Sequence, residues 1–403
     1  MRILVISIFL LMAAFSFFMK YLTYSRRNDP LPDNVRDVYD EETYKKNQAY
    51  KMDNLKFSII VSSVGIIITL CFLLFNFHHK VYEFITQQTG NFYILSLFVL
   101  IIPLLIESTV SRLMSIYSTF VIEKRYEFNK TTPKTFILDT VKTLIIALVV
   151  GGGLLLLFLF LYNQIGNWMF IAFFFVMIAL QLFAAFISPL LIRIFYKLTP
   201  LEDGELKSRV LMLADETGFR IKGIYSVDAS KRSTKLNAFA SGFGKSKTIG
   251  LFDTLIEKMT VDEVIAVLAH EVGHEKKRHI LKSMPFSLLM ISILLAAAYF
   301  IIAMPEASQA FGFTDANIAF GIYIMTILIS PLMVLFSIPS NIISRKYEYE
   351  ADMFAKESTN KEATVSALKK LYQENLGNLT PHPFVVLVEY SHPPLSQRIA
   401  ALE

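Results

Sequence analysis

The sequence predicts an α-helical integral membrane protein with seven transmembrane helices and a small β-sheet in a segment outside the membrane. Of its 403 residues, 54% are hydrophobic and only 18% are charged, and the mean hydropathy is +0.49. Such a composition is typical of a chain that crosses a bilayer several times. The distribution of Lys and Arg then indicates the side of the membrane on which each connecting segment lies.

Seven apolar stretches are long enough to cross the hydrocarbon core of a bilayer as helices. They cover residues 3–19, 57–77, 92–107, 143–162, 168–190, 284–304 and 318–340, and the third is the shortest. Pro331 and Pro339 are expected to kink the last stretch, because proline removes a backbone hydrogen-bond donor. Lys20, Arg26 and Arg27 follow the first stretch and favour its retention as a membrane helix over cleavage as a signal peptide.

Basic residues are concentrated in alternate connecting segments. Thirty-six of the 39 Lys and Arg lie in residues 20–56, 108–139, 191–283 and 341–403. Because basic segments remain in the cytoplasm, the N-terminus is predicted outside or in a lumen, and residues 191–283 and the C-terminus in the cytoplasm. The net charge of +5 therefore reflects membrane topology, and we expect no nucleic-acid partner.

The segment between the fifth and sixth stretches is the first extended part of the chain outside the membrane. Residues 221–227 predict a strand, and residues 235–243 and 247–252 predict a hairpin around Gly244-Lys245-Ser246. Thr260 and Glu263 form a capping-box pattern, which predicts that a helix begins there. This helix carries the motif described next.

His270-Glu271-Val272-Gly273-His274 is an H-E-x-x-H motif. Two histidines four residues apart share one face of a helix, so both imidazoles can bind one metal ion. Glu271 can then face the metal-bound water as a general base. Because the chain has only one cysteine, Cys71, the remaining ligands must be His or carboxylate.

A catalytic zinc ion needs a third protein ligand, and the acidic cluster after the seventh stretch offers two candidates. Glu348 and Asp352 are four residues apart on the same predicted helix face. One can bind zinc while the other accepts a hydrogen bond from a ligand histidine, and the residues alone leave the choice open. Glu350 is expected to point elsewhere, and His279, five residues beyond His274, falls outside the metal-binding face.

Together these motifs resemble the CAAX prenyl protease 1 family of integral-membrane zinc metallopeptidases. Besides the two metal-site motifs, the resemblance rests on Asn237-Ala238-Phe239 with Gly242, and on Tyr390-Ser391-His392-Pro393-Pro394 with Arg398. It reaches the N-terminal half through Glu41-Glu42-Thr43-Tyr44, Tyr50, Glu123 and Phe128-Asn129-Lys130. The bacterial heat-shock membrane protease family shares the catalytic signature but has fewer spans and a shorter chain.

This resemblance implies seven helices that enclose a hydrated chamber, with a metallopeptidase domain on the cytoplasmic face. Residues 1–195 are expected to form a membrane domain with five transmembrane helices, and residues 196–403 a metallopeptidase domain that includes the last two. The implied site is one Zn²⁺ per chain bound by His270, His274 and Glu348, with Asp352 supporting a ligand and Glu271 as general base. Asn237, Ala238 and Phe239 are implied to align the substrate, and His392 and Arg398 to lie near the tetrahedral intermediate.

The implied activity is removal of the C-terminal tripeptide from prenylated CAAX proteins at the bilayer. One alternative is a prokaryotic quality-control protease that cleaves membrane proteins without prenyl groups. A zinc-binding transporter or channel is the second alternative, although no internal repeat supports it. The compact chain favours a bacterial cytoplasmic membrane, with the membrane of the endoplasmic reticulum as the alternative.

Overall fold

The computed structural model describes residues 1–241, 247–302 and 304–403. The predicted turn at Gly244-Lys245-Ser246 lies outside the described residues. Long helices dominate the N-terminal half: α1 Arg2–Ser25, α2 Glu41–Leu74, α3 Phe77–Thr86, α4 Phe92–Tyr117, α5 Pro133–Ile146, α6 Gly153–Ile165 and α7 Met169–Phe195. A π-helical turn, Ser118–Glu123, extends α4, and a second, Ala147–Gly152, joins α5 to α6.

The C-terminal half combines a small sheet with further helices. Its strands are β1 Leu198–Pro200, β2 Ile221–Val227, β3 Ala238–Ser241 and β4 Lys247–Phe252. Its helices are α8 Glu205–Glu216, α9 Asp253–Lys258, α10 Val261–Lys276, α11 His279–Ile302, α12 Pro305–Gln309, α13 Ile318–Leu328, α14 Ser330–Ser358, α15 Lys361–Glu374, α16 Pro383–Glu389 and α17 Leu395–Leu402.

Within the described residues, five helices or continuous helical runs are long and apolar enough to cross a membrane, and a sixth is added by one bent pair. The runs are Arg2–Ser25, Glu41–Leu74, Phe92–Glu123, Pro133–Ala184 and His279–Ile302, and the pair is α13 with α14. This confirms a multi-pass helical membrane protein. Several helices extend beyond the predicted apolar stretches, because polar helical turns such as the start of α2 continue them past the apolar residues.

The kink predicted at Pro331 is observed, whereas Pro339 lies inside α14 without ending it. The axes of α13 and α14 differ by 51° at the break. Pro331 lies in the first turn of α14, where a missing N–H removes no intrahelical hydrogen bond. The seventh apolar stretch is therefore two helices, and the second of them carries the acidic cluster.

The sheet has four strands in the order β1-β2-β4-β3. The prediction of a strand at residues 221–227 is confirmed, and β3 and β4 pair antiparallel as predicted. β3 begins at Ala238 and not at residue 235, because the preceding segment pairs with other parts of the chain. β2 pairs parallel with β4, which leaves β3 at the edge of the sheet.

Two hydrophobic clusters hold the peptidase part together. In the first, β3, β4 and α15 pack against the apolar face of α10, which includes Val264, Leu268 and Val272. In the second, residues of the N-terminal half such as Ile122 and Phe128 pack against α15 and α17. The N-terminal half therefore contributes directly to the second hydrophobic cluster of the peptidase part.

Candidate metal centre

Helix α10 presents His270, Glu271 and His274 on the face opposite its buried apolar residues. The capping box predicted at Thr260 and Glu263 is present, with each side chain bonded to the backbone of the other residue. His270 and His274 are half-buried on that face, with Nε2 atoms 3.1 Å apart. The apolar spacing of the helix therefore directs both imidazoles towards α14.

Gly273 allows α14 to approach α10 closely. A Cβ atom at this position would lie 3.1 Å from Cβ of Phe354 and 3.2 Å from Cα of Ala351, which is too close for ordinary packing. The same contact brings Glu348 and Asp352 of α14 to the histidines. Both acidic side chains are buried, and a buried carboxylate requires a cation or hydrogen-bond donors.

Three potential metal ligands converge: His270, His274 and Glu348, with ligand atoms within 4.8 Å of one another. One oxygen of Glu348 lies 3.5 Å from Nε2 of His270, and the other lies 3.3 Å from Nε2 of His274. Zinc bonds of 2.0–2.1 Å in tetrahedral geometry place two ligand atoms about 3.3 Å apart. The distances and the two-nitrogen, one-carboxylate donor set therefore fit a zinc ion.

The hydrogen bonding of these groups also favours a cation. Among the described residues, Oε2 of Glu348 is buried without a hydrogen-bond partner. Burial lowers the pKa of His270, but the neighbouring carboxylates of Asp352 and Glu348 outweigh it and raise the pKa to about 9. This environment attracts positive charge, which a metal ion would supply in place of a proton.

Asp352 lies behind the ligands and holds His270 in orientation. Its Oδ1 lies 2.9 Å from Nδ1 of His270, which leaves Nε2 to face the centre of the cluster. Arg398 of α17 donates to both oxygens of Asp352, at 2.7 Å from Nε and 2.5 Å from Nη2. Glu348 and Asp352 therefore have different contacts: Glu348 faces both histidines, and Asp352 contacts His270 and Arg398. Their spacing in the sequence did not indicate which of the two would face the histidines.

His274 is supported in a different way, by a residue that the sequence analysis assigned no role. Nδ1 of His279 lies 3.0 Å from Nδ1 of His274, and its Nε2 lies 3.1 Å from Glu350. The ring also stacks on Tyr347 with centroids 4.3 Å apart. If His274 bound a metal ion through Nε2, its Nδ1–H would donate to His279, which would donate in turn to Glu350.

We expect His279→Ala to weaken metal binding by about 10–100-fold, the usual cost of removing a partner that orients a metal ligand. His279→Asn keeps an acceptor close to the position of Nδ1 and should retain most of the affinity. Competition for zinc with a fluorescent chelator measures both variants. Equal affinities for His279→Ala and the unmodified protein, at unchanged thermal stability, would show that this contact does not support the site.

A cavity of about 420 Å³ opens beside the three converging ligands His270, His274 and Glu348, which together are called the metal cluster below. Its lining includes eight of the site residues predicted from the sequence: Asn237, Ala238, His270, Glu271, Glu348, Asp352, His392 and Arg398. Burial raises the pKa of Glu271, which makes this carboxylate a stronger base than an exposed one. The exposed side chain of His392 reaches the cluster, with Nε2 3.3 Å from Glu348.

The remaining predicted residues lie elsewhere. The ring of Phe239 lies against Gly250 of the neighbouring strand, where a Cβ atom would be only 2.2 Å from it, so Phe239 faces the sheet and is not part of the cavity lining. His382, which had no predicted role, accepts a hydrogen bond from the backbone N–H of Phe384 and caps α16.

Comparisons with known proteins agree with this geometry. Residues 20–197 match the family model described as CAAX prenyl protease N-terminal, five membrane helices, and residues 200–403 match peptidase family M48. The chain is similar to CAAX prenyl protease 1 of Saccharomyces cerevisiae, with 33% identity over 97% of this chain and 93% of the relative. It is 32% identical to the CAAX prenyl protease 1 homolog of Oryza sativa subsp. japonica, over 93% of this chain and 90% of the relative.

A solved structure extends the similarity to the whole fold. The crystal structure of S. mikatae Ste24p superposes with a TM-score of 0.94 at 30% sequence identity, and covers 100% of this chain and 99% of the other. The sheet, the H-E-x-x-H helix and the bent α13–α14 pair therefore belong to a known arrangement.

Proposed function

We propose, because this chain belongs to peptidase family M48 and to its CAAX prenyl protease group, that it removes the C-terminal tripeptide from prenylated CAAX proteins. Membership makes the chain a multi-pass membrane metalloprotease, a hydrolase of peptide bonds. We assign zinc as its metal, with one ion bound by His270, His274 and Glu348. The observation that carries the proposal is that this cluster, Glu271 and strand β3 border one cavity.

A zinc ion bound at this site would lower the pKa of a water molecule and polarise the scissile carbonyl. Glu271 accepts the proton of the attacking water and returns it to the leaving amine. The exposed ring of His392 lies beside Glu348, where it can donate a hydrogen bond to the developing oxyanion. Arg398 adds positive charge close to the metal ligands, with Nη2 3.6 Å from Glu348. It also positions His270 through Asp352.

Strand β3 is the proposed alignment site for the peptide. As the edge strand of the sheet it offers backbone groups to which an extended peptide can add as a further strand. Asn237 and Ala238 border the cavity, whereas Phe239 contributes through its backbone. This arrangement would place the scissile bond between β3 and the metal cluster.

The cavity suits the small apolar residues of a CAAX tail. Its lining also contains the apolar residues Val267, Leu368 and Leu371, and apolar side chains gain free energy when they are buried against such a surface. A prenyl group would remain in the bilayer or among the membrane helices. The relatives favour this substrate over both alternatives, the quality-control protease without prenyl substrates and the zinc-binding transporter.

The proposed topology is seven membrane crossings with the active site on the cytoplasmic side. The run Pro133–Ala184 contains 52 residues, about 78 Å of helix at 1.5 Å per residue, and a hydrocarbon core is only about 30 Å thick. Gly166, with φ of +53°, breaks this run, so we count two crossings. With the bent pair as one crossing the total is seven, and the Lys and Arg asymmetry gives the orientation.

We divide the chain into a membrane domain, residues 1–195, and a metallopeptidase domain, residues 196–403, because α7 ends at Phe195 and the sheet begins just after it. The compact chain leads us to propose a bacterial cytoplasmic membrane as the location, and the endoplasmic reticulum is the alternative that a prenylated substrate favours. In either membrane the active site would face the cytoplasm, so one vesicle assay tests the orientation for both.

The substrate proposal predicts cleavage of a prenylated CAAX peptide, with little cleavage of the same peptide without the lipid. Purified protein is assayed with both peptides after its zinc content is measured by elemental analysis, and Glu271→Gln serves as the inactive control. The proposed orientation predicts cleavage of an added peptide only by vesicles that carry the cytoplasmic face outside. These are inside-out vesicles of a bacterial membrane, or native microsomes of the endoplasmic reticulum. Preference for the unprenylated peptide would remove the CAAX assignment, and zinc-free active protein would remove the metal assignment.

A further inference from the structure

The edge strand β3 is reached through a short segment, Arg232–Leu236, that the N-terminal half holds in place. An antiparallel bridge joins Ser233 to Asn129. On either side of it, Lys130 N–H donates to the carbonyl of Arg232 at 3.0 Å, and Thr234 N–H donates to the carbonyl of Phe128 at 3.1 Å. The sequence predicts a strand from residue 235, whereas the chain is already paired with the membrane domain before that point.

Lys235 is the charged centre of this attachment. Its Nζ donates to the hydroxyl of Tyr50 at 3.0 Å and lies 3.1 Å from a carboxylate oxygen of Glu123. Tyr50 donates to the other oxygen of Glu123 at 2.6 Å. The ammonium group also lies 4.6 Å from the centre of the Phe128 ring, a distance at which a cation is attracted to an aromatic face.

Leu236, the next residue, is held from the other side. Its N–H donates to Oδ1 of Asn375 at 2.9 Å, and Nδ2 of Asn375 donates to its carbonyl at 3.2 Å. The loop that carries Asn375 is itself bonded to α2, since the buried side chain of Asn47 donates to the carbonyl of Leu376 at 2.8 Å. Both sides of the segment are therefore attached to the membrane domain.

We infer that Tyr50 and Glu123 of the membrane domain are positioning residues for proteolysis, which fix the substrate-aligning strand β3 through Lys235. Lys235 lies two residues before Asn237 and three before the first residue of β3. A strand that adds a peptide must hold its backbone groups at a set distance from the metal cluster, because a shift of about 1 Å can cost a large factor in rate. If β3 were mobile in the free protein, each substrate would also have to order the strand on binding, which would lower its affinity.

The inference accounts for residues in the N-terminal half that the catalytic mechanism does not use. Tyr50, Glu123 and Phe128-Asn129-Lys130 lie in sequence far from the metal ligands, yet all of them contact the segment that leads into β3. It rests on the proposed role of β3 as the strand that binds substrate.

Lys235→Met and Glu123→Gln test the inference, with Lys369→Met as the matched control. Lys369 pairs with Asp37 at 2.7 Å, so it also joins the peptidase part to the N-terminal half, but away from β3. Binding of a fluorescein-labelled prenylated CAAX peptide is measured by anisotropy in the Glu271→Gln background, and kcat/KM in the active protein. We expect both to fall about tenfold in the two test variants and to remain unchanged in the control.

Three readouts separate positioning from general stability. Zinc content, unfolding temperature and inhibition by acetohydroxamate, which binds the metal without reaching β3, should remain unchanged in Lys235→Met. The charge reversal Glu123→Lys with Lys235→Glu should recover peptide binding, because the hydroxyl of Tyr50 can donate to one new partner and accept from the other. Parallel losses of zinc, stability and hydroxamate binding would overturn the inference, as would peptide binding equal to that of the control.

Hydrogen exchange provides a measurement that needs no substrate. Backbone amides in residues 236–241 should exchange faster in Lys235→Met than in Lys369→Met, because local opening becomes easier when the segment loses its anchor. Equal exchange in both variants would also overturn the inference. Failure of the parent protein to bind the prenylated peptide would instead contradict the proposed substrate, and the exchange result would stand independently of it.

Discussion

Glu271→Gln is expected to lower kcat by about 10²- to 10⁴-fold, the usual contribution of a general base, while the protein keeps its metal. Glutamine matches the size of glutamate but cannot accept the proton of the attacking water. Glu271 lines the cavity beside the metal cluster and is not one of the three converging ligands. Single-turnover cleavage of the prenylated peptide, together with zinc content, measures the effect.

Glu275→Gln provides the matched control. Glu275 lies one turn further along α10 and pairs with Lys247 at 2.5 Å, outside the cavity. Its substitution is chemically the same as that of Glu271. Its activity should stay close to that of the unmodified protein. If Glu271→Gln retained more than about a tenth of the activity, another group would have to serve as the base.

The metal site could be predicted from the sequence to the extent that local helical geometry determines it. His270 and His274 follow from their spacing, and the start of α10 follows from the capping box at Thr260. Glu348 and Asp352 could be recognised as a pair on one helix face. Their separate contacts could not be predicted, since these depend on how α14 crosses α10 at Gly273, and that close approach is a tertiary feature.

His279 shows where helical spacing ceases to apply. Five residues beyond His274, it would point away from the metal face if α10 continued. The helix instead ends at Lys276, and Arg278 adopts a left-handed conformation with φ of +58°. This turn directs the chain back, so that His279 contacts His274, and a positive φ at a non-glycine residue leaves little trace in sequence.

The sheet was predictable only in part for a similar reason. The strand at residues 221–227 and the antiparallel β3–β4 pair follow from local patterns, whereas the parallel pairing of β2 with β4 joins strands separated in the chain. The bridge between Ser233 and Asn129 spans more than a hundred residues. Such contacts are determined by the packing of the two halves of the chain, which local patterns do not contain.

Glu348→Ala is expected to remove the metal and the activity together. The variant loses one of three ligands, so zinc affinity should fall by more than the factor of about 10–100 that is typical for loss of an orienting partner. The fold should persist, because Arg398 keeps its two hydrogen bonds to Asp352. Zinc affinity by chelator competition and unfolding temperature measure these effects. Tight zinc binding by this variant would exclude Glu348 as a ligand.

Asp352→Asn should show a different combination of losses, because Asp352 supports both a ligand and a buried cation. The side-chain carbonyl of the asparagine can still accept from His270, so zinc affinity should fall only about 10–100-fold. Arg398, however, is only 7% exposed and would lose its closest ionic partner, keeping only Glu348 at 3.6 Å. Breaking a buried ion pair costs up to about 3–5 kcal/mol. Urea unfolding of the metal-free protein would measure this loss directly. If Asp352→Asn lost zinc completely but stayed stable, the roles of the two carboxylates would be reversed. Asp352 would then be the zinc ligand, and the fold would not depend on its pairing with Arg398.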